Sequence, residues 1–435
     1  MTKILVCDDD PAHGDEINEH IHAAGESASE PLTGDQLTKE LNELFAQIRT
    51  FQTGAGDGHR RWDFSTFEPI KSRFDDVDVL LLDNNLTLLA NDGPPLTAES
   101  IAGYVRAFTD ARYIVSLNMN PDVDFDLRYL VGDFLTRADL AINGKHLENK
   151  YLWTGKPGPD EFCPWYWPRL GSVAEYRKKQ VEFVLNNYDN SVLDSLGFDD
   201  ESVQMLSRHA QGTLSPDASP DIHGSGEGGP LRGVKFSDFF LAKSRALPVQ
   251  DERAQLHAVY SQNEAVQRVV ARIVAADIDL WLRRDVIGPQ EPLVDVPHLT
   301  GRFPFLLGTR ANDLASWNDS VTTSEPTFGW DKQIYDDLVS PARFEYEHIW
   351  MQNPCFWWSK LNNDERLNAR LLASTGDEWA DVVFCEDASR FQYRTSDADH
   401  HAPVEFVAEF EGVWNRRYIA MLEGVQYAPR TRLAL

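Results

Sequence analysis

Val77-Asp78-Val79-Leu80-Leu81-Leu82-Asp83 decides the fold. A near-continuous Val/Leu run of this length fits a strand covered on both faces, as in a parallel sheet. It delivers a carboxylate at its C-terminal end, and turn-prone Asn84 and Asn85 follow at once. Lys3-Ile4-Leu5-Val6-Cys7 has the same design, with Asp8-Asp9-Asp10 directly after it. In open α/β sheets, ligands sit just beyond the carboxyl ends of the strands. If the two strands are neighbours, Asp8, Asp9, Asp10 and Asp83 converge on one edge. Such a cluster repels itself unless a cation sits in it, and hard oxygen ligands suit Mg²⁺.

Working outward, Pro11 suits the first turn of a helix that runs to about Ala24, with Ile17, His20 and Ile21 on one face and Gly25 closing it. Residues 27–33 read as a short strand. Gly34-Asp35 opens a helix with Leu37, Leu41, Leu44, Phe45 and Ile48 at helical spacing. A glycine-rich break covers 54–58, and Phe67 to Phe74 reads as a short helix. Thr97 is the cap of a third helix with Ile101, Val105 and Phe108 on its core face. Arg112 to Leu117 is an apolar strand carrying Ser116, and Asp139 to Ile142 is a fifth strand, with Lys145 close behind and Lys156-Pro157 further on. Strands and helices alternating over about 150 residues predict βαβ units in a parallel sheet.

The first third of the chain resembles the receiver domain of two-component response regulators. The resemblance is carried by Lys3 to Asp10, by Leu81-Leu82-Asp83, by Val115-Ser116 and by a lysine near the fifth strand. It implies a flavodoxin-like, doubly wound parallel sheet over residues 1–158. It also implies aspartyl phosphorylation, in which a carboxylate is the nucleophile on a phosphoryl donor. Asp83 would be the acceptor. Asp8, Asp9 and Asp10 would hold Mg²⁺ together with Asp83, Ser116 would hydrogen-bond the phosphoryl group, and Lys145, or alternatively Lys156, would pair with it. The partner would be a histidine-kinase-type phosphodonor. The sequence departs from the family in three respects. The distance from Asp9 to Asp83 is long, Asn84 follows the acceptor, and Asp122, Asp124 and Asp126 occupy the region of the family's switch helix.

The remainder reads as a connector over 159–232, with a Gly/Ser/Pro-rich linker at 212–233, and a mixed or mostly helical C-terminal region over 233–435. A long helical stretch is expected at 252–284, a strand at Val382-Val383-Phe384 and a helix from Pro403 to Ala420. The glycines at 224–229 lack the Lys-Ser/Thr of a phosphate loop. His400-His401 with Glu405 and Glu409 reads as a solvated helix start, Cys385-Glu386-Asp387 as a surface turn, and Phe356-Trp357-Trp358 as core. The C-terminal region is therefore expected to be an output part that binds another protein.

Composition bounds the function. With 42% apolar and 25% charged residues, the 435-residue chain has ample core material for two or three domains. Its formal charge of −28 argues against binding nucleic acid or an anionic membrane without a local basic patch. Cys7, Cys163, Cys355 and Cys385 have neither disulfide-framework nor zinc spacing. No signal peptide or membrane-length apolar run is evident, so a cytoplasmic location is expected. Two functions remain: a phosphorylated regulator whose only catalysis is aspartyl self-phosphorylation and dephosphorylation, or a degenerate receiver scaffold carrying an interaction module or an unrecognised enzyme.

Overall fold

The computed structural model describes residues 2–54, 67–86, 89, 96–118, 123–126, 137–154, 158, 161–165, 170–214, 230–238, 263–289, 291–310, 313–322, 329–351, 353–373, 382–393, 404–407 and 416–427. Its N-terminal part is a five-stranded parallel sheet of order β2-β1-β3-β4-β5. The strands are β1 (Ile4–Asp8), β2 (Leu32–Thr33), β3 (Val79–Asp83), β4 (Tyr113–Asn118) and β5 (Leu140–Asn143). Helices α1 (Pro11–Ala23), α2 (Gly34–Gly54) and α3 (Ala98–Phe108) lie between them in sequence. This is the flavodoxin-like order, with the switch in winding between β1 and β3.

The apolar runs are continuous because both faces of the sheet are covered. Leu5, Cys7, Leu80, Leu82 and Ile114 pack with Leu37, Leu41 and Leu44 of α2 and Ile101 and Val105 of α3. Ile4, Val6, Val79, Leu81, Val115 and Leu117 pack with Ile17 and Ile21 of α1. Local chemistry fixes the helix starts. Asp10 caps α1 by accepting from the Ala12 amide at 2.9 Å, with Pro11 in the first position. Thr97 caps α3 by accepting from the Ser100 amide at 3.3 Å. Gly25 ends the first helical segment with φ +91°, which favours glycine.

Beyond residue 158 come α4 (Leu170–Asn187) and α5 (Glu264–Trp281), which continues into a π-helical turn over Leu282–Val286. Then follow β6 (Leu293–Asp295), α6 (Val296–Arg302) and β7 (Cys355–Trp357), where β6 and β7 pair antiparallel. A four-stranded sheet has the order β10-β11-β8-β9, formed by β8 (Val382–Cys385), β9 (Arg390–Tyr393), β10 (Val404–Val407) and β11 (Arg416–Ile419). Val266, Val270, Val274 and Ile278 of α5 share an apolar cluster with the α2–α3 face of the large sheet. Cys385, Ile419 and Ala420 of the small sheet share one with its α1 face. Both clusters join residues on either side of position 158.

Several expectations need correction. The stretch from Pro403 to Ala420 contains strands β10 and β11, not a helix: its β-branched and aromatic residues find a paired neighbour, and sheet context outweighs the weak helical reading. Phe67 to Phe74 gives no helix, only a 3₁₀ turn at Arg73–Asp76, because Pro69 has no amide to donate and Ser72 caps the later turn. The turn at Glu386 and Asp387 is buried rather than on the surface. Phe356, Trp357 and Trp358 are core, and the four cysteines are free and buried. Residues 215–229 of the expected linker, Lys156, Asp122, His400, His401 and Glu409 lie outside the described residues.

Gly14 reports how closely α1 packs. A Cβ there would lie 2.6 Å from Cγ2 of Thr33 at the end of β2. Gly14→Ala is therefore expected to destabilise the protein by about 1 kcal/mol net, the clash exceeding the helix preference of alanine. In a Thr33→Ser background, which removes that methyl, the same substitution should become neutral or stabilising. Urea denaturation of the four proteins of the cycle checks this.

Candidate functional site

Register builds the site. Cys7 pairs with Leu82 across β1 and β3, so the next residues, Asp8 and Asp83, stand side by side where the strands end. Both side chains are buried, Asp8 completely. Asp8 Oδ1 accepts from the Asp10 amide at 2.8 Å, and Asp83 Oδ2 accepts from the Asn85 amide at 3.0 Å. The third position of α1, counted from its Asp10 cap, is His13, and its side chain turns back over the strand end. His13 Nδ1 lies 2.8 Å from Asp8 Oδ2. One ligand atom each from Asp8, His13 and Asp83 falls within 4.8 Å of the others.

Burial is the main influence on the ionisation of these carboxyls. It raises Asp83 to about 6, and the nearby Asp8 pushes in the same direction. The Asn85 amide and His13 oppose the rise, while Asp9 adds to it. Asp8 is also raised by burial, against the Asp10 amide and His13. An edge of this kind calls for positive charge. Asp8 Oδ2 is buried with no hydrogen-bond donor other than its approach to His13. Two carboxylates with an oxygen thus available fit a divalent cation. The imidazole nitrogen adds a ligand type that also suits first-row transition ions such as Mn²⁺.

The remaining sequence-selected residues are distributed around this centre. Asp9 is buried next to Asp8 and close enough to Asp83 to raise it. Asp10 serves the cap of α1 and stands outside the three-residue cluster. Ser116, buried in β4, donates to Glu99 Oε1 at 3.2 Å. Glu99 also faces Asn84, whose side-chain amide, in the orientation that puts its nitrogen toward the carboxylate, donates to both oxygens at 2.7 and 3.0 Å. Lys145 follows β5 and pairs with Asp124, not with Asp83. Asp126 is buried nearby in the chain.

Two participants were not singled out from the sequence, His13 and Glu99. Each occupies the first turn of a helix whose start was recognised, from Pro11 in one case and from the Thr97 cap in the other, and helix side chains tilt toward the helix N-terminus. Those two signals therefore carried the information. The fold and site define a flavodoxin-like α/β unit with an acidic cluster at the carboxyl edge of its sheet. No protein-family model, curated protein or solved structure matches the chain. No helix among the described residues is long and apolar enough to cross a membrane.

The raised Asp83 gives a testable pH dependence. Its folded value of about 6 lies above the ordinary aspartate value near 3.9, so the folded state holds the proton more tightly and loses stability as pH rises between the two. Without divalent cation, Asp83→Asn should stabilise the protein by about 1–2 kcal/mol at pH 7–8, after allowance for solvent screening. The gain should shrink through pH 6 and vanish near pH 4. Urea melts of both proteins across this range read the difference directly.

Proposed function

We propose that the chain is a response-regulator-like signalling protein that accepts a phosphoryl group on Asp83. The observation that carries this reading is the meeting of Asp83 with Asp8 and His13 at the carboxyl edge of a 2-1-3-4-5 sheet. An Asp83 oxygen attacks phosphorus of a phosphohistidine donor. The P–N bond breaks, its electron pair returns to the imidazole, and an acyl phosphate remains on Asp83. Asp8 and Asp83, with Asp9 beside them and His13 adjacent, would hold a divalent cation, Mg²⁺ in the first instance, which when bound offsets charge on phosphoryl oxygens. Asp10 contributes by holding the start of α1, the helix that carries His13.

Ser116 and Lys145 stand ready but engaged, the first with Glu99 and the second with Asp124. In this reading both release their partners when a phosphoryl group arrives, because a dianionic group accepts more strongly than a shared carboxylate. Phosphorylation then shifts an existing equilibrium between two arrangements of these residues. Residues 1–158 form the accepting part, 159–232 the connector and 233–435 the output part, which binds a protein partner in the cytoplasm. The formal charge of −28 disfavours nucleic acid or membrane in that role.

The same two engaged residues favour a second reading, a receiver fold kept as a scaffold in which Glu99 and Asp124 permanently occupy the phosphate-binding groups. Incubation with acetyl phosphate and Mg²⁺, followed by intact mass, separates the two. The first reading expects a phosphate-sized gain, labile at alkaline pH, that is lost with chelator and in Asp83→Asn. Ser116→Ala should slow labelling by roughly 100-fold. Absence of labelling together with absence of beryllofluoride binding at Asp83 leaves the scaffold.

A further inference from the structure

At the opposite end of the large sheet lies a cavity of about 290 Å³, near the lower end of the range for small-molecule sites. Tyr113, which begins β4, and Asp139, which precedes β5, contribute to its floor. It is thus separate from the acidic edge where β1 and β3 end. Its other walls come from α4, the π-helical turn after α5, α6 and the buried turn at Glu386. Single π-helical turns are uncommon and recur at functional sites. Here the turn places Arg283 at the cavity.

The two sides of the cavity differ in charge. On one side, Asp139 is paired with both Arg106 and Arg177, and Arg283 Nη2 lies 3.9 Å from it. Asp279 Oδ2 lies 3.2 Å from Arg177 and 2.9 Å from Arg283 Nε. Arg177 and Arg283 match Asp139 and Asp279 within the lining, and Arg106, which pairs with Asp139 but does not itself line the cavity, gives the buried group as a whole a surplus of one positive charge among the described residues. On the other side, His298 Nδ1 lies 2.5 Å from Asp295 and its Nε2 3.7 Å from Glu386, which also accepts from Arg417 at 2.7 Å. With His298 protonated, two cations meet two anions there. Its acidic neighbours hold the imidazole pKa above the ordinary value in spite of burial. The balanced side has no call for a charged ligand, whereas the surplus side does.

Hydrogen-bond accounting agrees independently. Arg177 Nε, Trp165 Nε1 and Trp350 Nε1 are buried donors without a hydrogen-bond partner among the described residues. All three side chains line this cavity, and Trp350 is 2% exposed. No cavity-lining oxygen is left without a partner in the same way. Buried polar groups in native proteins find partners, so a cavity with unmet donors and no unmet acceptor calls for an acceptor. The surplus charge makes that acceptor an anion. A surplus of one matches a carboxylate better than a phosphate, which carries nearly two charges at neutral pH. The indole and phenyl rings of Trp165, Trp350 and Phe384 supply an apolar lining that inorganic anions do not use.

We propose that this cavity binds a small organic carboxylate, its charged end against Arg177 and Arg283 and its apolar body against Trp165, Trp350 and Phe384. Calorimetric titration of the full chain with phenylacetate tests this, with phenylacetamide as the neutral isostere and inorganic phosphate as competitor. Phenylacetate should bind saturably at one site, the amide at least tenfold more weakly, and equimolar phosphate should not displace the acid. Arg283→Gln should weaken phenylacetate at least tenfold. Trp350→Phe, which keeps an aromatic side chain and removes one donor, should weaken it severalfold. Equal affinity for acid and amide, no binding of either, or displacement by phosphate each overturns the proposal; in the second case the donors are satisfied by water only. The wild-type comparison of acid with amide decides the matter even if Arg283→Gln does not fold.

Discussion

Asp139 ties the large sheet to everything outside it. Its carboxylate is buried at the entrance to β5, where Oδ2 accepts from the Ile114 amide at 2.8 Å. The same group pairs with Arg106 from α3 and Arg177 from α4, while Arg283 from the turn after α5 donates to its backbone carbonyl at 3.2 Å. The guanidiniums hold its ionisation below the usual carboxylate range although burial acts in the other direction. A buried carboxylate on its own is costly, and so are buried arginines. Together they are tolerable, and breaking such a group typically costs about 3–5 kcal/mol. The strand, two helices and the turn beyond α5 are therefore fixed relative to one another by mutual need for charge.

The sheet is consequently polarised from end to end. Its carboxyl edge gathers Asp8, Asp9 and Asp83, while its other end carries the arginine-rich group around Asp139. β4 spans the two, from Tyr113 at the cavity to Ser116 and Asn118 near the acidic edge, a length of about 17 Å for six residues. In a chain of net charge −28, Arg106, Arg177, Arg283 and Arg417 are brought to one interior region, where Asp139, Asp279 and Glu386 meet them.

The sheet and the acidic strand ends were legible because the signals are local. A run of five buried residues needs apolar side chains on both faces, and a following Asp or a Pro at a helix start needs no distant partner to be read. The Asp139 group was not legible for the opposite reason. Arg177 and Arg283 stand 38 and 144 residues from Asp139, and nothing in their neighbourhoods marks them as partners. Glu386 was read as part of a surface turn because turn residues are usually solvated. Its burial depends on Arg417 and His298, which are placed by other elements. Strands β10 and β11 were missed likewise, since each is defined by its pairing and not by its own periodicity.

His13 shows how a local rule and a distant constraint combine. Asp8 and Asp83 are brought together by strand register, so their closeness is a property of the backbone pairing. The nearest lysine in sequence beyond β5, Lys145, is committed to Asp124. Compensation must therefore come from an element that already reaches the strand ends. The first turn of α1 does, because its Asp10 cap starts the helix two residues after Asp8. A side chain in the third position returns to the strand end at 2.8 Å, and histidine is the residue there that can either carry a proton or offer a lone pair. A lysine could do only the first and would exclude a cation. The chain thus places beside Asp8 and Asp83 a ring nitrogen that can meet them as a hydrogen-bond donor or offer a lone pair next to their oxygens.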